Sequence, residues 1–219
     1  MKWIQQSQYQ PDGAAGPSPR GFTLIERLGV IAIIAILAAR CGVAALHAAD
    51  TTFTKITTGA IVTDEGMFVG CAWGDYNNDG YDDLFVANNQ VGGQNFLYLN
   101  NGDGTFTKIS TGSIVTDGGN SVACVWGDFD NDGFLDLFVT NPSGFIARPS
   151  FLYHNNGDGT FQKIDSGRVV TDIKQTFDAT WADYDNDGYI DLFAGDFGGA
   201  KNALYHNNGG RTFDRITSG

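Results

Sequence analysis

The sequence predicts an all-β protein built of four-stranded, β-propeller-type blades and preceded by one N-terminal apolar helix. Three copies of one pattern follow residue 50, and the positions of Trp73, Trp126 and Trp181 give periods of 53 and 55 residues. Short apolar runs recur inside each copy, and Asn-Gly and Asp-Gly pairs separate them. A period in the low fifties with four strands per copy is typical of propeller blades.

The chain divides into a distinct N-terminal part and the repeats. Residues 1–21 are polar and form the expected leader peptide, and residues 22–49 form the expected apolar, pilin-like or membrane helix. The three repeats are expected at about residues 51–104, 105–159 and 160–219.

Each repeat is expected to contain four strands in chain order. In the second copy, the strand that carries Trp126 ends at an acidic loop, and the apolar run DLFVTN follows it. The run FLYHN comes next, and the turn NGDG leads into a last strand, TFQKI. Short turns of this kind join antiparallel neighbours, so each copy should form one sheet.

The acidic loop is the candidate metal site of each repeat. Counted from its first Asp, every loop has Asp or Asn at positions 1, 3, 5 and 9 and Gly at position 6. Oxygen ligands on alternate residues of a tight turn, with Gly in the left-handed conformation, suit Ca²⁺, and position 7 would add its backbone carbonyl. Mg²⁺ is less suited because it retains several waters. The predicted ligands, for about one Ca²⁺ per repeat, are Asp75, Asn77, Asp79, Tyr81 and Asp83; Asp128, Asp130, Asp132, Phe134 and Asp136; and Asp183, Asp185, Asp187, Tyr189 and Asp191.

Other interpretations of these loops are less favoured. An EF-hand carries a bidentate Glu at position 12 and continues into a helix, whereas these loops have Val86, Val139 or Ala194 there, inside a β-type run. Solvated turns without a metal are a second alternative. It is disfavoured because the same spacing of acidic residues recurs at the same place in all three repeats. A catalytic ion is a third alternative, but a structural ion that joins two strands is the preferred interpretation.

Charge and composition exclude some classes of function. The formal net charge is -12, so the chain lacks the basic face that nucleic acid requires. The sequence contains no Ser/His/Asp set, phosphate loop or CxxC motif, and an enzyme is therefore not expected.

His154 and His206 are repeat equivalents and are expected to be partly exposed strand-end residues. Cys71 and Cys124 are expected to be small, buried strand residues and not disulfide partners.

The pattern D-x-[DN]-x-D-G-x-x-D, with an apolar strand after it and NNGDGTF at its close, resembles FG-GAP/VCBS repeats of integrin-α-like β-propellers. The resemblance covers about residues 51–219. It implies Ca²⁺ between the first two strands of each blade, in an exported surface module that acts in adhesion or binds a protein or glycan. The alternative is a fragment of a secreted polysaccharide-active enzyme with a calcium-stabilised propeller. Related propellers close with more blades, so three repeats imply a truncated propeller, an open arc or an oligomeric ring.

Residues 20–39, RGFTLIERLGVIAIIAILAA, resemble the signal of type IV prepilins and pseudopilins. The resemblance implies cleavage after Gly21, methylation of Phe22 as the new N-terminus and an assembly role for the carboxylate of Glu26. The alternatives are an ordinary signal peptide cut within AALHAAD, or a lipoprotein signal at Cys41. All three imply export to the cell envelope, the cell surface or the medium. In the first, residues 22–49 anchor the chain and offer a route into a membrane or pilus-like assembly.

Overall fold

The computed structural model describes residues 54–142, 148–197, 199 and 201–217 of the 219-residue chain. These residues belong almost entirely to one compact unit, Ile56–Gly219. The expected leader and apolar helix, with Gly21, Phe22 and Glu26, lie outside the described residues, so their processing stays a prediction. Within the described part of the chain, no helix is long and apolar enough to cross a membrane.

Three four-stranded antiparallel sheets make up this unit, and each has its strands in chain order. This arrangement confirms the predicted all-β fold of propeller-type blades. Blade 1 contains β1 (Phe68–Gly74), β2 (Asp83–Asn88), β3 (Phe96–Asn100) and β4 (Phe106–Ile109). Blade 2 contains β5 (Cys124–Gly127), β6 (Asp136–Val139), β7 (Phe151–Asn155) and β8 (Phe161–Ile164). Blade 3 contains β9 (Thr176–Ala182), β10 (Asp191–Asp196), β11 (Ala203–Asn207) and β12 (Phe213–Arg215).

The blades are offset by one strand from the sequence repeats. The expected boundaries after residues 104 and 159 precede β4 and β8, yet these strands pair with β3 and β7 of the preceding blade. In the same way β12 pairs with β11. Residues 54–56, the described part of the first TFTKI copy, form no strand.

A one-turn helix precedes each blade, which the sequence analysis did not predict. The helices are α1 (Ala60–Thr63), α2 (Ser113–Thr116) and α3 (Arg168–Thr171). The glycine before each helix has φ between 93° and 96°, a left-handed backbone that favours Gly over other residues. Each helix contacts the last strand of its own blade.

The Asp after each helix fixes it to the blade. Oδ2 of Asp64 accepts hydrogen bonds from the hydroxyl of Tyr98 at 2.8 Å and from Nζ of Lys108 at 2.7 Å. The tyrosine is buried, and its hydroxyl therefore needs such a partner. The equivalent contacts in blades 2 and 3 are Tyr153 and Lys163 with Asp117, and Tyr205 and Arg215 with Asp172.

A tryptophan from each following blade packs on the blade before it. Nε1 of Trp126 donates to the carbonyl of Ala72 at 3.2 Å, and the Trp126 ring stacks on Tyr76. A Cβ at Gly74 would lie 2.8 Å from Cδ1 of Trp126, so only glycine leaves room for the ring. In blade 3, Trp181 repeats this packing on blade 2, with a Cβ at Gly127 only 2.6 Å from its Cδ1.

Equivalent aromatic residues are exposed on the outer faces of blades 1 and 3, where no described blade packs against them, and buried between blades. Trp73, the blade 1 equivalent of those tryptophans, is 55% exposed. Tyr184 of blade 3 is 47% exposed, whereas its blade 1 equivalent Tyr76, under Trp126, is 5% exposed. The prediction that Cys71 is buried is wrong, because this residue of β1 is exposed. Cys124, at the interface between blades 1 and 2, is half-buried, and both cysteines are free.

Candidate metal centres

Each acidic loop connects the first two strands of its blade, between β1 and β2, β5 and β6, or β9 and β10. Gly at position 6 has the expected left-handed backbone, with φ of 89° to 93° at Gly80, Gly133 and Gly188. The residue at position 4 is Asn in every loop and is also left-handed, with φ of 59° to 60°. Asn is one of the few residues that tolerates this conformation, so the loop is a tight strand-to-strand turn.

Hydrogen bonds within the loop turn its carboxylates inward. In blade 2, Oδ1 of Asp128 accepts from the backbone N–H of Asp132 at 3.1 Å, and Oδ2 accepts from that of Gly133 at 2.9 Å. Oδ1 of Asp132 accepts from the N–H of Phe134 at 2.9 Å. Asp75 and Asp183 accept the same pair of backbone bonds in blades 1 and 3.

The carboxylate at position 9 is the most buried group of each site. Asp136 is the first residue of β6 and has no exposed surface. It accepts hydrogen bonds from the backbone N–H groups of Phe129 at 3.0 Å and Asn155 at 2.8 Å. Burial raises the pKa of Asp136 to about 8, although these hydrogen bonds act in the opposite direction. A nearby cation would favour the charged form of a carboxylate in this environment.

The equivalent carboxylates in the other blades accept the same pair of backbone hydrogen bonds. Asp83 accepts from the backbone N–H groups of Tyr76 and Asn100 at 3.3 and 2.7 Å, and burial raises its pKa to about 6. Asp191, also buried, accepts from Tyr184 and Asn207 at 3.1 and 2.8 Å.

The structure brings together the predicted ligands of the second and third loops. Carboxylate oxygens of Asp128, Asp130 and Asp136 lie within 4.8 Å of one another. The third loop forms a similar group from Asp183, Asp185 and Asp187. Among the described residues, the first loop forms no such group of three acidic or histidine side chains. There, Asn77 replaces a carboxylate and its Nδ2 donates to Asp79 at 2.9 Å.

The residues at position 7 have a structural role in the loop. The N–H groups of Tyr81, Phe134 and Tyr189 donate to the position 5 carboxylates, which helps to close the turn. Their rings cover the glycine of the turn between the third and fourth strands; a Cβ at Gly102 would lie 2.6 Å from the ring of Tyr81. Their carbonyls as ligands stay a prediction.

Histidine is part of two of these sites, which the sequence analysis missed. The prediction that His154 is partly exposed is wrong, since its side chain is 5% exposed against the second acidic loop. His206, 24% exposed, is partly exposed as predicted, but it lies against the third acidic loop. Both histidines belong to groups that are able to hold a metal ion. Each histidine directly precedes, in the motif LYHNN, the Asn whose backbone N–H donates to the position 9 carboxylate. This position in the motif was the feature of the sequence that could have placed the histidines at the acidic loops.

Position 4 also links neighbouring loops. Nδ2 of Asn78 donates to the carbonyl of Gly133 at 2.8 Å, and Nδ2 of Asn131 donates to that of Gly188 at 2.9 Å. These bonds connect consecutive loops along one edge of the blades. The recurrence of Asn at this position is the only trace of them in the sequence.

The fold and its loops define a propeller-type repeat protein, and comparison with known families agrees. Residues 75–139 and 141–194, more than half of the chain, match the FG-GAP-like repeat family. The chain therefore belongs to the FG-GAP-like repeat family.

Known proteins with similar sequences include large animal proteins. The chain is 32% identical to cartilage acidic protein 1 of Xenopus tropicalis over 52% of its own length. It is 28% identical to integrin alpha-8 of Gallus gallus over 74% of its length, and 29% identical to integrin alpha-V of the same species over 60%. It spans only 18%, 18% and 15% of the lengths of these three relatives.

Proposed function

We propose that the chain is a non-enzymatic binding module whose three acidic loops hold Ca²⁺ and so stabilise the blades. The observation that carries this proposal is the buried carboxylate at position 9 of each loop. Asp83, Asp136 and Asp191 are almost without exposed surface, and further carboxylates of the same loop lie within 4.8 Å of Asp136 and Asp191. Burying negative charge is costly without a compensating cation.

Calcium suits the ligand set of these loops. Ca²⁺ takes six to eight oxygen ligands with flexible geometry, and carboxylates with a backbone carbonyl on alternate residues of a turn can supply them. The first loop has one fewer carboxylate than the others because Asn77 stands at position 3. Since affinity rises with ligand charge, we expect the first loop to bind Ca²⁺ most weakly.

A bound ion would act on the fold through the strands it connects. The ligands at positions 1 to 5 belong to the loop, whereas the ligand at position 9 is the first residue of the second strand. That carboxylate also accepts a hydrogen bond from the third strand. The ion would therefore join three successive strands of a blade at one edge.

The segment of blade 1 that differs from the other repeats lies at the edge opposite the acidic loops. In an antiparallel sheet with sequential strands, the turn between the second and third strands lies at the end away from the acidic loops. Residues 89–94 occupy this position in blade 1 and pair with the next blade through Gly93 and Gly119. We propose that this edge binds the partner, a protein or a glycan at the cell surface, because variable loops on a constant scaffold carry specificity.

The similarity to integrin alpha chains and to cartilage acidic protein 1 supports a binding module over an enzyme. The recurring Asp64, Asp117 and Asp172 give no support to the enzyme alternative. Each is bonded to a tyrosine and lies beside a lysine or arginine, which explains its recurrence through packing. Export and surface location remain part of the proposal and depend on the N-terminal segment.

A calcium titration of loop variants tests this function. Asp130→Ala and Asp185→Ala each remove a position 3 carboxylate, so each should abolish or strongly weaken one calcium site by isothermal titration calorimetry. Asp158→Asn is the matched control, because this exposed carboxylate lies in the turn between β7 and β8 and should leave calcium binding unchanged. Absence of calcium binding to the folded native chain would refute the proposal.

A further inference from the structure

Histidine distinguishes the second and third acidic loops from the first. His154 in β7 and His206 in β11 stand where Leu99 stands in β3. Nδ1 of His154 lies 3.3 Å from Oδ2 of Asp130 and 3.2 Å from Oδ1 of Asp136. One imidazole nitrogen therefore faces the carboxylates at positions 3 and 9.

The third loop has the same arrangement. Nδ1 of His206 lies 3.3 Å from Oδ2 of Asp185 and 3.2 Å from Oδ1 of Asp191. The two distances agree between the blades, although 52 positions of sequence separate the histidines. The ring orientation therefore follows from the repeated strand and loop.

Buried polar atoms without hydrogen bonds point to a ligand at these sites. Nδ1 of His154 and Nδ1 of His206 are buried and make no hydrogen bond, and neither does Oδ1 of Asp130. The His154 side chain is only 5% exposed, so water at the surface does not satisfy it. Buried polar groups nearly always have a partner, and a cation bound by the ring nitrogen and the carboxylates would supply one.

We propose that the acidic loops of blades 2 and 3 bind a first-row divalent transition metal such as Zn²⁺ through Nδ1 of His154 or His206 together with the carboxylates at positions 3 and 9. This inference rests on the proposed function, which treats the acidic loops as cation sites. It adds that the sites of blades 2 and 3 prefer a transition metal to Ca²⁺. The first loop, with Leu99 at this position, has oxygen ligands only and stays a calcium site.

Ligand chemistry and geometry support the assignment. Imidazole nitrogen suits zinc and other first-row metals, whereas Ca²⁺ takes oxygen ligands. Two ligands of a tetrahedral zinc ion, each bound at about 2.0 to 2.1 Å, lie roughly 3.3 Å apart. The distances of 3.2 and 3.3 Å from Nδ1 to the carboxylate oxygens match this separation.

The side chain of Arg211 distinguishes the blade 2 site from the blade 3 site. This residue follows β11, and its guanidinium reaches back to blade 2. Nε lies 3.2 Å from Oδ2 of Asp130, and Nη2 lies 2.6 Å from Nε2 of His154. Because a guanidinium only donates hydrogen bonds, this contact makes Nε2 the acceptor and places the ring proton on Nδ1. Arg211 therefore competes with a metal at blade 2.

In blade 3, the described residues place no arginine or lysine in ion-pair contact with the carboxylates around His206. Its Nε2 lies 4.0 Å from Oδ2 of Asp187, beyond hydrogen-bond distance. Unlike in blade 2, no described guanidinium fixes Nε2 as the acceptor and the proton on Nδ1. Blade 3 should therefore have the higher zinc affinity. Arg211→Gly, which restores the residue found at Gly104 and Gly159, should raise the zinc affinity of blade 2.

Zinc titration of the full chain tests the proposal. His206→Leu and His154→Leu copy the residue of blade 1, and each should lower the affinity of one zinc site by at least about tenfold. Asp158→Asn serves again as the control. Leu99→His combined with Asn77→Asp, which supplies the missing carboxylate at position 3, should create a third zinc site in blade 1. This gain does not depend on whether the fold tolerates the buried His154→Leu change. The zinc K-edge spectrum should show imidazole scattering in the native chain.

Two results would overturn the proposal: unchanged zinc affinity in both histidine variants, or a zinc spectrum with oxygen ligands alone. Calcium titrations of the same variants separate this inference from the proposed function. Calcium affinity should change little in the histidine variants, because Ca²⁺ does not use the nitrogen. If the native chain bound zinc through the histidines but bound no calcium, the calcium proposal would fail and the zinc sites would stand.

Discussion

Replacing Asn155 by Ala should weaken the contact between blades 1 and 2. Asn155 is fully buried at the end of β7. Its Nδ2 donates to the carbonyl of Tyr76 in blade 1 at 2.7 Å and to that of Leu135 in its own blade at 3.1 Å. Its Oδ1 accepts from the N–H of Gly157 at 3.0 Å. The alanine variant leaves both carbonyls without this donor and keeps the backbone bond from residue 155 to Asp136.

The expected loss in the free energy of unfolding of Asn155→Ala follows from these hydrogen bonds. An unsatisfied buried acceptor costs about 1 to 3 kcal/mol, so the loss at two carbonyls should lower the free energy of unfolding by about 2 to 6 kcal/mol. The matched control is Asn100→Ala in blade 1. Among the described residues, Nδ2 of Asn100 donates only to the exposed Asp82 carbonyl, and water can replace that bond. The control should cost about 0.5 to 1 kcal/mol.

Urea denaturation of the full chain, followed by circular dichroism in the presence of a chelator, measures the difference. With a slope of about 2 kcal/mol/M, Asn155→Ala should lower the unfolding midpoint by about 1 to 3 M and Asn100→Ala by about 0.5 M or less. Equal shifts in the two variants would refute the inference that this side chain joins the blades.

Three further predictions concern the packing of the blades. Tyr98→Phe removes the hydroxyl bond to Asp64 and should cost about 1 to 2 kcal/mol, measured by urea denaturation; no loss would contradict the role of that bond. Gly127→Ala places a Cβ 2.6 Å from Trp181 and should lower the melting temperature through about 1 to 3 kcal/mol of overpacking, whereas an unchanged melt would show that the ring can move. The hydrogen bond from Lys108 lowers the pKa of Asp64, so this carboxylate stabilises the fold above its ordinary value of 3.8 and loses that effect as the pH falls through the lower, folded value. Lys108→Met should therefore flatten the dependence of stability on pH in acid, and an unchanged slope would contradict this.

Most of the fold could be predicted because it depends on local sequence. Alternating apolar runs and Asn-Gly or Asp-Gly turns specify each hairpin, and the threefold repetition of the pattern makes chance matches implausible. The loops were predictable for the same reason. Position 6 requires a left-handed backbone, and Gly80, Gly133 and Gly188 supply it.

Contacts between blades could not be predicted, because they depend on how one sheet lies on the next. Strand periodicity indicates which side chains share a face but not what covers that face. His154 was therefore expected at a partly exposed strand end, although the acidic loop and Arg211 bury it. The residues in such contacts are far apart in the sequence. The hydrogen bond from Asn78 to Gly133 spans 55 positions, and the contact between Arg211 and Asp130 spans 81 positions.

The most direct test of the account is a thermal melt of the chain with calcium and with a chelator. Ligand at 100 times its dissociation constant stabilises a protein by about 2.7 kcal/mol per site, and each kcal/mol raises the melting temperature of a chain of this size by about 2 to 4 °C. One occupied loop should therefore raise the melting temperature by roughly 5 to 10 °C, and the rise should shrink in Asp185→Ala. A melting temperature that calcium does not change would contradict the claim that the acidic loops are cation sites that stabilise the blades.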